Sequence, residues 1–392
     1  MELELSARVK KVKPSPTLAV SAKAAELKAQ GKDIIGLGVG EPDFDTPDHI
    51  KNAAITAIQN GFTKYTAVDG TASLKKAIIE KFERDNGLTY TPNQILVSCG
   101  GKQSFYNLAQ ALLNPGDEVI IPSPYWVSYP DMVLLAEGTP VIVDAGLEQE
   151  FKITPQQLEQ AITAKTRLFV INSPTNPTGI TYSLNELEAL AEVLLRHPQV
   201  LIATDDMYEH IRWDGKPFSN LVNANPALYD RTIVLNGVSK AYSMTGWRIG
   251  YAAGPTPLIA AMKKIQSQST SNPTSISQVA AEEALNGDQS CIQIMVTAFK
   301  ERHDYLVEAL NSIDGVQCIP SNGAFYAFPS FQGMIDRLDG VNNDVELATH
   351  ILDKVGVAMV PGSAFGAEGC MRLSFATDLA TLKDAISRLK TL

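Results

Sequence analysis

Cysteine is scarce in this chain of 392 residues: Cys99, Cys291, Cys318 and Cys370 lie far apart, with no CxxC pair. No metal-ligand spacing exists among them, so reduced thiols in a cytoplasmic protein are expected and a metal site is not. The five histidines are equally dispersed, and His210 and His303 read as structural or surface residues. Positive charge is also in deficit. Lys and Arg number 33 against 43 Asp and Glu, a net charge of −10, and no basic block is present to release counterions from a nucleic acid. No apolar run reaches membrane-spanning length, and the opening MELELSARVKKVKPSP lacks the apolar core of a signal peptide. Repeats and low-complexity linkers are missing too. Nucleic acid, membrane and metal are thereby set aside as partners.

What is present suits a large core. At 45% hydrophobic and 19% charged, 392 residues are enough for two domains. Seven short apolar runs recur: Ile95–Val97, Val119–Ile121, Val141–Val143, Leu168–Ile171, Val200–Ala203, Ile233–Leu235 and Ile249–Ala252. They are continuous rather than alternating, as in strands buried on both faces. Helical stretches lie between several of them, at Gln103–Leu113 and at Ser183–Arg196, whose Ser183-Leu-Asn-Glu186 start fits a capping box. This alternation predicts a layered α/β domain.

Ligands of such sheets collect beyond the carboxyl ends of the strands, so the polar residues that follow the runs are the candidates. The run Val238-Ser-Lys-Ala-Tyr-Ser-Met-Thr-Gly-Trp-Arg-Ile-Gly250 places Lys240 on a small-residue turn between two strands, with Arg248 eight residues on. A lysine whose pKa is lowered there can act as an amine, and an arginine beside it can grip a phosphate. Gly100 and Gly101 open a helix, where backbone amides and the helix dipole favour the same anion; Lys102 follows them. Trp126 sits on a strand-end loop, Asn176 lies in the rigid turn Asn172–Gly179, and Asp205 ends a buried run, costly for a carboxylate without a cationic partner. Asp206, if the strand continues, faces the other way.

Gly237-Val-Ser-Lys240, followed by Ser243, Met244, Gly246, Arg248 and Gly250, resembles the cofactor-attachment motif of class I aminotransferases, and the likeness runs from about Lys13 to Arg372. The resemblance implies fold type I: a large three-layer α/β/α domain with a seven-stranded, mostly parallel sheet over residues 48–290. A smaller α/β domain would be built discontinuously from residues 1–47 and 291–392. It implies pyridoxal 5′-phosphate held by Lys240 as a Schiff base, with Lys240 also the proton-transfer group. Asp205 would pair with the ring nitrogen, Asn176 and Tyr208 would donate to the phenolic oxygen, and Trp126 would stack on the ring. Gly101, Lys102, Ser239 and Arg248 would surround the phosphate, and Tyr65 would reach the phosphate of the neighbouring subunit in a homodimer. Gly40, on a closing loop, Trp126, Asn176 and Arg372 would bind substrate, Arg372 by its α-carboxylate. A cis Asn176–Pro177 bond would fix the amide's aim. Some relatives carry a phosphate-binding serine where this chain has Gly237, and Ser239 or Ser243 is then the replacement.

Lys13-Pro-Ser-Pro-Thr17, Gly100-Gly-Lys102 and Ser269-Thr-Ser-Asn-Pro273 resemble the bacterial aspartate aminotransferase branch. That implies amino transfer from L-aspartate to 2-oxoglutarate, with Lys102 on the side-chain carboxylate. Aromatic or prephenate transamination is the alternative, and a C–S lyase or cyclopropane-forming reaction is the next. A ligand-sensing regulator is disfavoured because no basic DNA-binding segment is fused to the chain.

Overall fold

The computed structural model describes residues 3–14 and 16–392; Ser15, within the Lys13–Thr17 segment, lies outside the described residues, as do the first two residues of the N-terminal 1–47 segment. All seven apolar runs are strands of one sheet: β1 (Ile95–Ser98), β2 (Glu118–Ser123), β3 (Thr139–Asp144), β4 (Thr166–Asn172), β5 (Leu201–Asp205), β6 (Thr232–Gly237) and β7 (Gly250–Ala253). Their order is β1-β7-β6-β5-β4-β2-β3. Only β7 runs antiparallel to its neighbours, pairing Leu96 with Ala252 and Leu235 with Ala252; the other pairings are parallel. Successive strand residues feed opposite cores. Val119, Ile121, Leu168, Val170 and Ala203 pack on one face, and Ile120, Phe169, Ile171 and Ile202 on the other. Both faces of these inner strands are therefore dry, which is why their runs are continuous; the edge strand β3 is continuous too, although Ile142 is 38% exposed. Each fully buried Leu, Ile or Phe contributes about 1.5–3 kcal/mol of transfer free energy.

Helices cover both faces. Ser183 caps Leu184–Arg196, its side chain and that of Glu186 bonding reciprocally to the first turn. The helix expected from Gln103 begins earlier, at Gly101, because Gly100 adopts φ +91°, a left-handed turn that leads straight into the first helical residue. A second, smaller α/β region lies alongside. Ile35-Gly36 pairs in parallel with Val357-Ala358, and Met371–Ser374 lies between Val360-Pro361 and Tyr326-Ala327 in an antiparallel sheet. Helices Ser290–Asn311, Asp344–Val355 and Leu379–Leu389 pack on these strands around Phe299, Phe325, Tyr326 and Phe375. One expectation fails. The cis bonds are Ser123–Pro124 and Ser173–Pro174, so Asn176–Pro177 is trans. The turn is aimed instead by hydrogen bonds: Asn172 Oδ1 accepts from the Asn176 amide at 2.8 Å, and the Gly179 amide reaches the Thr175 carbonyl at 2.7 Å.

Candidate active site

The carboxyl ends of β4, β5 and β6, the start of helix Gly101–Leu112 and the loop at Gly38–Glu41 enclose a cavity of about 330 Å³. Its wall contains Gly40, Gly101, Lys102, Trp126, Asn176, Asp205, Tyr208, Ser239, Lys240, Arg248 and Arg372. These are all the expected site residues except Tyr65. Tyr65 lies outside the wall, 92% exposed.

Lys240 follows β6 on the turn that ends in an αL residue, Arg248 (φ +58°). Its Nζ donates to the Gly40 carbonyl at 2.6 Å and has no carboxylate partner. Burial and the nearby Arg372 lower its pKa to about 8, with Arg248 acting the same way and Glu41 and Asp205 opposing. An amine so placed is neutral in part near physiological pH. Asp205 ends β5. Burial lifts its carboxyl to about 6, against the donated bonds of Tyr129 Oη and the Met207 amide and the charge of Lys240. It thus favours a cationic partner. Asp206 does face the other way: its carboxyl takes bonds from Thr204 and Asn220, and burial with Glu209 nearby pushes it up to about 7.

Arg372, 2% exposed, donates from Nη1 to Asn176 Oδ1 at 2.9 Å and from Nη2 to the Gly38 carbonyl at 2.7 Å. Its buried Nε has no partner, so this guanidinium still has capacity for an anion. With Oδ1 engaged, the Asn176 amide nitrogen remains free to donate. Tyr208 keeps its proton, because burial and Tyr326 raise its pKa well above the ordinary value; its hydroxyl lies 2.9 Å from that of Tyr326.

Arg248 packs against the helix start, where a Cβ on Gly100 would lie 2.5 Å from its Nη2. Gly250 passes even closer, its Cβ position being 2.3 Å from the Gly101 amide nitrogen. Two backbones and an arginine thus converge on one helix N-terminus, a ready seat for a phosphate. Gly237 sits in the same crowding: a Cβ there would lie 3.0 Å from Gly250 Cα and the Ile249 carbonyl, so a side chain fits only where the neighbouring strand gives by a few tenths of an ångström. Of the two replacements, Ser239 lines the cavity, whereas Ser243 turns its hydroxyl to the Met295 sulfur at 3.6 Å. Lys102 Nζ lies 5.2 Å from the Trp126 ring centroid, and burial with Arg248 nearby lowers its pKa.

Three contributors escaped sequence reasoning. Tyr129 bonds Asp205, Tyr326 bonds Tyr208 and stacks under Arg372 at 4.6 Å, and Thr17 presents a buried, unpartnered hydroxyl to the cavity. Tyr326 also explains Gly40, since its hydroxyl is 2.7 Å from where a Cβ would be. None of the three follows one of the sheet's strands, which was the signal used.

A reactive amine, a buried carboxylate and two arginines in one cleft define a site for amino-group chemistry on an anionic substrate. The family described as aminotransferase class I and II matches residues 32–389; the chain belongs to it and is an aminotransferase. An aspartate/prephenate aminotransferase from Nitrosomonas europaea is 63% identical, with all of both chains covered. Among solved structures, the aspartate aminotransferase of Rhizobium meliloti superposes with a TM-score of 0.96 at 48% identity, over 100% of this chain and 98% of that one. That of Thermus thermophilus, in a structure with maleate, gives 0.94 at 43% over the full length of both. Among the described residues no helix is long and apolar enough to cross a membrane, and no His, Cys, Asp and Glu cluster could hold a metal.

Proposed function

We propose that the chain is a pyridoxal-phosphate-dependent transaminase that moves the amino group of L-aspartate to 2-oxoglutarate. The observation that carries this reading is the position of Lys240, its amine deprived of a carboxylate partner, in one cavity with Arg372, Asp205 and Arg248. The residues fit the cofactor group by group. Gly101, Ser239 and Arg248 suit a phosphate, Asp205 suits a protonated ring nitrogen, and Tyr208 with the free Asn176 amide suits a phenolate oxygen. Trp126 offers a flat apolar surface to a flat ring. When bound, the cofactor supplies the carbonyl that takes up the amino group and the electron sink that loosens bonds at Cα. Arg372 grips the α-carboxylate and orients Cα, and Lys240 Nζ moves the proton there. Lys102 at the rim meets the side-chain carboxylate. The relatives' names support aspartate, and maleate in the Thermus thermophilus structure is likewise a dicarboxylate. Prephenate stands second, because it is paired with aspartate in the names of the 63% and 57% identical relatives.

The division into 48–290 and 1–47 with 291–392 is supported by the pairing of Ile35-Gly36 with Val357-Ala358, which joins the two ends of the chain. Homodimerisation is supported by the exposure of Tyr65 and of Ile55, Ile58 and Phe62, four large apolar or aromatic side chains within eleven residues of chain. Purified protein loaded with cofactor should form oxaloacetate and glutamate from aspartate and 2-oxoglutarate, and borohydride should fix the cofactor on the Lys240 peptide. Label on another lysine, or release of ammonia in place of amino transfer, would sink the reading.

A further inference from the structure

The segment that carries Tyr65 is anchored more heavily than an exposed loop requires. Gln278, fully buried, accepts the Thr71 amide at 2.8 Å and donates to Thr66 Oγ1 at 2.9 Å and to the Pro273 carbonyl at 2.8 Å. Gln266, also fully buried, donates to the Val68 carbonyl at 2.7 Å and the Val97 carbonyl at 2.8 Å. Its Oε1 accepts from Ser98 Oγ at 2.8 Å and Asn107 Nδ2 at 2.9 Å, so every hydrogen-bonding position of that carboxamide is used. Asp69 adds its carbonyl to the Val97 amide at 3.1 Å and its carboxylate to Lys75 and Lys263 at 2.7 and 2.8 Å. The loop is thus bolted to the end of β1 and to helix Gly101–Leu112, the two elements that form the phosphate cradle. Yet the side chain it delivers, Tyr65, is 92% exposed and touches nothing in its own cavity.

Rigid delivery of a solvent-facing aromatic, in a stretch of chain that also exposes Ile55, Ile58 and Phe62, suits a site on another molecule. We propose that Gln278 and Gln266 are positioning residues that hold Tyr65 in a fixed pose for the phosphate site of a second copy of this chain. Gln278 acts only in trans; Gln266, tied also to Ser98, serves its own cradle as well. The proposal rests on the cofactor and dimer readings above. Each protomer's cradle and the tyrosine it lends are one rigid unit.

Hybrid dimers test this. A Lys240→Ala chain cannot retain cofactor on borohydride treatment, so label reports only the site of the other chain. With Gln278→Met placed on the Lys240→Ala chain, the surviving site should lose about tenfold in affinity for pyridoxal phosphate, the size of one charge-assisted contact. With Gln278→Met on the chain that keeps Lys240, affinity should be unchanged. Affinity for pyridoxal, which lacks the phosphate, should be the same in both hybrids, a result that loss of general stability would not give. Gln266→Met should weaken phosphate-dependent binding in either arrangement. Equal losses in the two Gln278 hybrids, equal losses for pyridoxal, or a monomeric protein would overturn the proposal. If Gln278→Met fails to fold, Gln278→Glu keeps shape and acceptor without the donor and should show the same split. Label on a residue other than Lys240 would instead overturn the cofactor reading.

Discussion

Two lysines of this protein, the fully buried Lys81 and the half-buried Lys240 at the cavity wall, have been given opposite surroundings. Lys81, 1% exposed, meets the Glu209 carboxylate, Asn86 Oδ1 at 2.7 Å and Asp85 at 3.8 Å. Burial opposes ionisation of Glu209, yet Lys81, His210 and the Asn86 amide hold its carboxyl below the usual range. Lys240 donates to one carbonyl and feels two guanidinium groups, while the carboxylates that act on it, Glu41 and Asp205, make no ion pair with it. The first environment fixes a charge and makes it structural. The second withholds a counterion and so makes an amine. Burial alone does not create reactivity; the missing carboxylate does.

The comparison breaks or holds first on paired substitutions. Lys240→Ala should cost about 10²–10⁴-fold in transamination, the usual worth of a proton-transfer group, while thermal unfolding of the apoprotein is not lowered. Lys81→Met should do the reverse, costing about 3–5 kcal/mol in denaturant unfolding because Glu209 is stranded without its cation. Replacing both Lys81 and Glu209 by apolar residues of similar size should recover most of that loss. A well-folded Lys81→Met protein with lost turnover would erase the distinction.

A third lysine sharpens it at smaller scale. Lys102 stands at the cavity rim against Trp126 and, among the described residues, forms no ion pair, with Asp131 the one carboxylate whose charge reaches it. Its proposed partner is the substrate's side chain. Lys102→Ala should therefore lower kcat/KM for aspartate by more than tenfold, from a charge-assisted bond of about 1.5–3 kcal/mol, and spare phenylalanine. Parallel losses for both substrates would place Lys102 on the cofactor instead.

A further effect is in pH. Lys240 loses its proton near pH 8 when folded and near 10.5 when unfolded. Cofactor capture by the apoprotein should thus rise with pH and level off above about 8, where the amine is neutral. Between about 8 and 10.5 the unfolded chain binds more protons, so this group makes stability rise with pH across that window. Lys240→Met should flatten both curves.

The sheet was legible because its inner strands are buried on both faces, so each of those is an uninterrupted apolar run; the edge strand β3 shares the run without the burial. The residues that follow those runs, Trp126, Asn176, Asp205 and Lys240, were legible for the same reason: strand ends are where a parallel sheet exposes ligand-facing positions. Arg248 and Gly101 were visible from their glycine-rich surroundings. What stayed hidden arrives by tertiary packing. Tyr326 reaches the site from the smaller sheet, and Tyr129 from inside a helix; neither carries a local pattern beyond an aromatic among apolar residues. The Gln266 and Gln278 carboxamides were hidden because a glutamine on a helix reads as surface until its burial is known. The Asn176–Pro177 expectation failed because the Asn172 side chain holds the turn without a cis bond at that position.

Gly38 and Gly40 lend their carbonyl oxygens to Arg372 and Lys240, so one short loop acts as an internal stand-in for both incoming partners. A ligand of the amine, or one that takes Nη2 of Arg372, must displace a tethered oxygen rather than loose water, whereas Nε of Arg372 is already open. The two oxygens share a backbone, so eviction of one loosens the other. A loop that yields as one piece would link occupancy at the amine to occupancy at the guanidinium, each raising the affinity of the other by the same factor.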